Sequence, residues 1–569
     1  MRPLPAKIRT ICQRGRLWLL LMLSAALLCL WGWGLSPASQ AAVVALIPLD
    51  SRPVNTDLPQ QLAKIGGVDV ILPTDAFQDQ FLRASDSAGL MGWLNVQAPQ
   101  ADLLILHLNE LLFGGLIQSR DDMQYLDAKQ KLSDLHSFLD DPEVRSKKIV
   151  LIYILPRLLP SQYDPSMWEY EASLTAYSQL KHQLADAPGD PDLVQALDQQ
   201  INRIPREILD RYDALFSQAK ATGSTLLDWA DQGLADEVVI GLDDAASFGL
   251  NVQTFQSLQR ASEAQDQSQV YFLHGADELA SLVIMRHTST LRGPESFQPV
   301  FITPQDAKAI PHYESISLQD NFAEKRHYLY APTVKDASLP PVQRFSHWLK
   351  GLFSFADPAP RLKYAVLHTQ SDLAGPEIDQ AWQQIAALRG NTVDAALVGL
   401  ADTAKINGAS KAFIDTVGVA SVYTYVDAYA GWNTAGNSLG TVMAHLLFLE
   451  KGQALKGPGR SAALASHRSL QRLRLIDDYI FQSQVREEFV KWSLGQGFSY
   501  LTFGNRWAEA NEKLQTMMEK ALSAYPELLP EISNLSESGA SADRFTFPWP
   551  RSFELQIESS ETGIVGFGH

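Results

Sequence analysis

Two carboxylates side by side can divide acid chemistry between them, and Asp243-Asp244 stand together at the end of the apolar run Val238–Leu242. In such a pair one member stays ionised and orients or stabilises a developing cation, while the other, raised in pKa, donates a proton. Glycosidases work with paired carboxylates, and some amino-sugar hydrolases use adjacent aspartates with the substrate's acetamido group as nucleophile. On this reading Asp243 is the acid and Asp244 the orienting carboxylate. The competing reading is a helix cap, with Asp244 closing the start of a segment from Ala245.

Other groups fit substrate binding. Asp50, Arg52 and Asn55 follow the first apolar run of the body. Arg52, Arg120 and Arg157 offer planar forks for a carboxylate or phosphate, or for internal salt bridges. Asp277 and Glu278 form a second acidic pair, for which the preference of helix starts for acids is the simpler explanation. Trp432 has an apolar face suited to a sugar ring, and Asn433 stands where a helix N-terminus binds an anion or hydroxyl. Gly436 and Gly440 lie on one face of that helix and predict close packing against a strand.

His107, His274 and His368, with the aspartates, supply N and O ligand types for zinc or manganese. No HExxH spacing accompanies them, so a divalent metal belongs to an alternative reading and no cofactor is expected from a motif. Phosphate-loop, dinucleotide-fold and nucleophile-elbow motifs are absent.

Parallel strands would gather these groups, because α/β folds carry ligands at the carboxyl ends of their strands. Apolar runs bounded by polar or glycine residues occur at Val43–Pro48, Val68–Leu72, Leu103–His107, Ile149–Leu155, Val238–Leu242, Val270–His274, Val300–Thr303, Tyr364–Thr369, Ala395–Leu400 and Val422–Val426. They read as strands buried on both faces. Helical stretches such as Pro376–Leu388 and Thr434–Leu449 separate them, which implies parallel sheets with crossover helices. The prediction is an α/β fold of two doubly wound halves, with a (β/α) barrel carrying additions as the alternative. Residues 42–330 form the first α/β domain, with a helical insertion over 164–232. A Pro-rich linker covers 331–360, and 361–569 form a second α/β domain with a helical tail and a polar loop over Ser533–Asp543.

Charge is divided along the chain. The 569 residues carry 47 Lys and Arg against 64 Asp and Glu, a formal net charge of -17. Arg2, Lys7, Arg9, Arg14 and Arg16 precede residue 42 and no acid does, which leaves the body at about -22 and excludes nucleic acid as a partner. Both cysteines, Cys12 and Cys29, also lie in this leader, so the body has no disulfide and no thiolate chemistry. The uncharged run Leu17–Leu35, followed by Ser39-Gln40-Ala41, reads as an export signal cleaved after Ala41, or as an uncleaved membrane anchor over 17–35. Either way the body is expected outside the cytoplasm.

Several blocks together resemble one family. PLD-x-RP-x-N is matched by Pro48–Asn55, GG-x-x-x-SR by Gly114–Arg120, and G-x-DDA-x-S-x-GLN by Gly241–Asn251. Gly275–Glu278 match GADE, Asn407–Ala409 match NGA, Ala430–Gly440 match AGWNTAGN-x-LG, and Phe547–Glu554 match FPW-x-R-x-FE. This pattern resembles the uncharacterised bacterial domain-of-unknown-function family four-one-two-seven. Its members carry glutamine in the DD block where Leu242 stands here. The resemblance spans almost the whole body and implies no activity.

The functional expectation is an exported hydrolase acting on a glycan or amino-sugar polymer. Its site would be built from Asp243, Asp244, Asp50, Arg52, Asn55, Trp432 and Asn433. The alternatives are a non-catalytic extracytoplasmic protein that binds a sugar or anion, and a metal-dependent hydrolase using His107, His274 and the acids.

Overall fold

Strands β1 (Val43–Ile47), β2 (Asp69–Ile71), β3 (Leu103–His107), β4 (Lys148–Leu155), β5 (Glu237–Leu242) and β6 (Val270–His274) form one parallel sheet in the order β2-β1-β3-β4-β5-β6. This is a computed structural model, and it describes residues 42–331, 361–369, 373–389, 396–529 and 543–559. The leader, most of the Pro-rich stretch and the expected polar loop as far as residue 542 lie outside the described residues, whereas Asp543, its expected last residue, opens a strand.

A second parallel sheet holds β7 (Phe297–Phe301), β8 (Leu362–His368), β9 (Ala396–Asp402) and β10 (Ala428–Ala430) in the order β10-β9-β8-β7. Among the described residues no ladder joins the two sheets. Because β7 pairs with β8, the second sheet begins on the amino side of the Pro-rich stretch.

Alternation along each strand sorts its side chains into two cores. In the six-stranded sheet Val44, Leu46, Ile105, Ile152 and Val239 face one core. Ala45, Ile47, Leu104, Leu151 and Ile240 face the other, against the helices Ala128–Leu139, Arg206–Asp231 and Leu250–Ala264. In the four-stranded sheet Ala365, Leu367, Leu397 and Ala401 join the first of these cores, while Val366, Val398, Leu400 and Tyr429 face a third. Helices Asp57–Ile65, Leu279–Thr288, Leu318–Tyr330 and Ala435–Ala454 fill the layer common to both sheets. The long helix Ala435–Ala454 is buried almost all round, including its polar Asn437, Ser438, Thr441 and His445. It packs on β8, β9 and β10 and on the other helices of that layer.

Three expectations need correction. Val422–Val426 is not a strand: Val419–Tyr425 is a short helix that buries Val419 and Val422, three apart, and β10 follows at Ala428–Ala430. Its β-branched and aromatic residues imitate a strand, and packing of the i, i+3 face overrides that preference. β7 begins three residues before the expected run. Gly436 and Gly440 do not meet a strand. A Cβ at Gly436 would lie 2.8 Å from Glu314 Oε1, and one at Gly440 would run into Glu278 Cγ. These glycines admit two buried carboxylates to the helix, and Gly440→Ala is expected to cost about 1–3 kcal/mol, read as a lowered denaturant midpoint.

The insertion over 164–232 comprises the short helix Pro165–Trp168, a hairpin of Glu171–Asp186 and Pro191–Ile201, and the 26-residue helix Arg206–Asp231. Its own core includes Leu174, Tyr177, Tyr212 and Phe216. Ser178 Oγ accepts from Leu250 N at 2.8 Å and His182 Nδ1 from Gly249 N at 3.1 Å. The insertion thereby satisfies backbone donors at the start of helix Leu250–Ala264, just beyond the paired aspartates. After residue 457 the chain is helical over Pro458–Arg474, passes into an 11-residue π-helix at Leu475–Val485, and continues through Arg486–Gly495 and Trp507–Leu522. A final antiparallel pair, β11 (Asp543–Thr546) and β12 (Gln556–Ser559), follows.

Candidate active site

In the six-stranded sheet the strand order reverses at β1, with β2 on one side and β3 on the other. Crevices at such switch points are the usual ligand sites of open parallel sheets. The loop after β1 supplies Asp50, Arg52 and Asn55, all buried. Arg52 Nε donates to Asp50 Oδ2 at 2.9 Å and its Nη2 to Asp277 Oδ1 at 2.6 Å, past the end of β6. Asn55 Nδ2 bridges the same two carboxylates at 2.8 and 3.0 Å. Asn433 Nδ2, from beyond β10, donates to Asp277 Oδ2 at 3.2 Å, so the second sheet meets the first here. Burial, and then the charges of Asp50 and Asp243, hold Asp277 up at about 6 against the pull of Arg52.

Glu278 turns the other way. Asn437 Nδ2 donates to its Oε2 at 2.8 Å, and Lys325 Nζ lies 3.1 Å from its Oε1. Lys325, fully buried, also donates to Asn321 Oδ1 and to the His274 carbonyl. Asn433 and Thr434 are tied to Asn437, and Thr434 caps the helix from Ala435 in a capping box. Capping this helix is therefore part of what the segment does. Trp432 is mostly buried, with Nε1 donating to Thr441 at 3.2 Å and the Arg474 guanidinium 5.9 Å from its ring. A narrow crevice is lined by Arg52, Trp432 and Asn433 together with Asn407, Asp477, Gln482 and Glu554.

Asp243 and Asp244 lie outside that lining, at the end of β5. Asp243 Oδ2 accepts from Arg120 Nη2 at 2.6 Å. Asp244 Oδ2 accepts from Arg157 Nη1 at 3.3 Å. Both aspartate side chains keep more than a tenth of their surface open, at 11% and 17%. Burial, and then the neighbouring Asp243 charge, raise Asp244 despite Arg157 and Arg120. Neither aspartate caps a helix, since the next one starts at Leu250 with Gly249 before it. The charge of Asp243 is among those that raise Asp277 of the Arg52 cluster.

The histidines do not converge. His107 is buried with no hydrogen-bond partner on either ring nitrogen, and burial pushes it down to about 3. His274 Nδ1 meets Glu324 at 2.8 Å and His368 Nδ1 meets Asp402 at 3.0 Å. Among the described residues no three His, Cys, Asp or Glu side chains form a metal-ligand group.

Several contributors lie outside the site residues expected from the sequence. Asp79, beyond β2, accepts from Ser51 N at 2.7 Å, and its own N–H donates to Glu110 Oε1 at 2.8 Å. Asn109 donates to the Ile154 carbonyl at 2.9 Å and accepts from its N–H at 2.8 Å, locking the end of β3 to β4. The π-helix supplies Asp477 and Asp478, both paired with Arg474, and Asp478 accepts from Gly431 N at 2.8 Å. π-Helical turns gather at functional sites. The FPW-x-R-x-FE segment closes the wall: Trp549 Nε1 donates to Ser51 Oγ at 2.9 Å, and Arg551 pairs with Glu554, which lies 3.8 Å from Arg52.

Glu314 accepts from Gly436 N at 2.8 Å, and burial raises it to about 7. A carboxyl raised on folding binds its proton more tightly in the native state, so its contribution to stability falls as pH rises from the unfolded to the folded pKa. Glu314→Gln is therefore expected to gain stability relative to the parent as pH rises from about 5 to about 7.5. A difference in denaturant midpoint that stays flat over that interval would contradict this assignment.

The fold and this site define an α/β protein of two parallel sheets with a charge-paired, carboxylate-rich cleft at their strand ends. The chain belongs to the family described as "Protein of unknown function (DUF4127)", whose model matches residues 44–558. None of the curated proteins and none of the solved structures matches it.

Proposed function

We propose that the protein is an exported hydrolase that cleaves a glycan or amino-sugar polymer at the Asp243-Asp244 strand end. The observation that carries this reading is the unequal environment of two adjacent, partly open carboxylates. Asp243 is held by Arg120, while Asp244 is raised by burial and by Asp243. Environments that push two titratable groups apart mark acid and partner. In this proposal Asp244 takes the acid's role and Asp243 the orienting one, the reverse of the sequence expectation. Asp244 gives its proton to the leaving oxygen as the glycosidic C–O bond breaks and the substrate's acetamido oxygen bonds to the anomeric carbon, where Asp243 faces the developing positive charge; water then adds to that carbon, displaces the acetamido oxygen and returns a proton to Asp244. Arg52, Asn55, Asp50, Asp277 and Asn433 form a hydrogen-bonded cluster proposed to take part in substrate binding, and Arg120 and Arg157 hold the two carboxylates. The basic, apolar leader supports an extracytoplasmic setting, with attachment through residues 17–35 if it is retained.

The test is a panel of glycans and chromogenic glycosides incubated with the purified body from Ala42 onward. Hydrolysis of an amino-sugar linkage is the expected result. Binding of panel sugars without turnover would favour the sugar-binding protein instead, and turnover that vanishes on chelation and returns with a divalent metal would favour the metal-dependent reading.

A further inference from the structure

A second concavity, of about 530 Å³, lies between helices Ala128–Leu139 and Arg206–Asp231 and shares no lining residue with the crevice at Arg52. Its volume is in the range of small-molecule sites. Tyr125 and Trp229 form buried parts of its floor, and Leu132 adds apolar wall. His136 meets Trp229 edge to face, with ring centroids 5.8 Å apart. Leu126, in the same turn as Tyr125, is 65% exposed. Such a surface favours a flat apolar or aromatic body.

The charge of this groove is opposite to that of the molecule. The body carries about -22, yet none of the groove's lining residues is acidic, and Lys129 brings a positive charge. Lys129 is exposed and makes no ion pair among the described residues. An uncompensated ammonium beside an apolar floor suits a ligand with one anionic group on an apolar frame. The geometry points to a binding site for an amphipathic organic anion, an aromatic or aliphatic carboxylate, in the groove between these two helices.

Calorimetric titration of the full-length protein with 2-naphthoate and with its neutral isostere 2-naphthamide tests this. One equivalent of naphthoate is expected to bind, at least about tenfold more tightly than the amide. Lys129→Glu removes that preference, because it weakens naphthoate alone. Ala221→Trp, which fills the groove from the Arg206–Asp231 helix, abolishes binding of both while the denaturant midpoint stays at the parent value. Equal affinity for the two probes, binding that ignores Lys129→Glu or survives Ala221→Trp, or no heat up to about 1 mM naphthoate would each overturn the assignment.

Discussion

Asparagine in place of Asp244 is expected to lower turnover of the accepted glycan by about 10²–10⁴-fold, with the denaturant midpoint near that of the parent. The amide keeps the shape of the side chain and can still accept from Arg157, which also donates to the Leu159 and Pro160 carbonyls. What it lacks is the proton. Substrates with an activated leaving group need less protonation, so they should lose less rate than natural linkages. Asp243→Asn is expected to depress both substrate types alike, because the charge opposing the developing cation is then missing for each. Equal turnover in parent and both variants would sink the carboxylate mechanism.

Arg52→Met is expected to destabilise the fold by about 3–5 kcal/mol, measured by chemical denaturation near neutral pH. The guanidinium serves Asp50 and Asp277 at once, and all three groups are buried. Its loss strands two carboxylates away from water, a larger penalty than the net worth of the pairing itself. The defect should shrink toward about pH 5, where the stranded Asp277, already raised to about 6, can protonate. Arg52→Lys should recover only part of the loss, since an ammonium cannot span both partners as the fork does. A change below about 1 kcal/mol in Arg52→Met, a value typical of an exposed pair, would show that the cluster is solvated.

The strands that were legible share one property. β1, β3, β4, β5 and β9 are continuous apolar runs buried on both faces, and in such strands sequence and environment agree. Val422–Val426 misled because β-branched content is a weak guide when one helical face is buried. The pair β11–β12 is short and polar, and its partners lie ten residues apart across an aromatic loop. At the site, strand-end residues such as Asp50, Asp277 and Asn433 could be placed because parallel topology sends strand ends to one rim. Lys325, Glu314 and Asp79 come from a helix and from loops, where a charged residue normally reads as solvated surface. Only the tertiary fold reveals that they are buried. Arg474 with Asp477 and Asp478 had a readable i, i+3 and i, i+4 spacing, and the terminal FPW-x-R-x-FE block pointed to Glu554.

The helix layer between the sheets has a consequence for how the chain folds and how it can be cut. Helix Ala435–Ala454 packs on helices from both sides of the Pro-rich stretch, and β7 is separated by that stretch from its partner β8. Two fragments divided within 332–360 would each bare a large apolar face, and the second would lack an edge strand. Neither should persist alone as an autonomous folding unit. Produced together, they should recover a single cooperative melting transition, which would make this bond a natural site for a split-protein reporter.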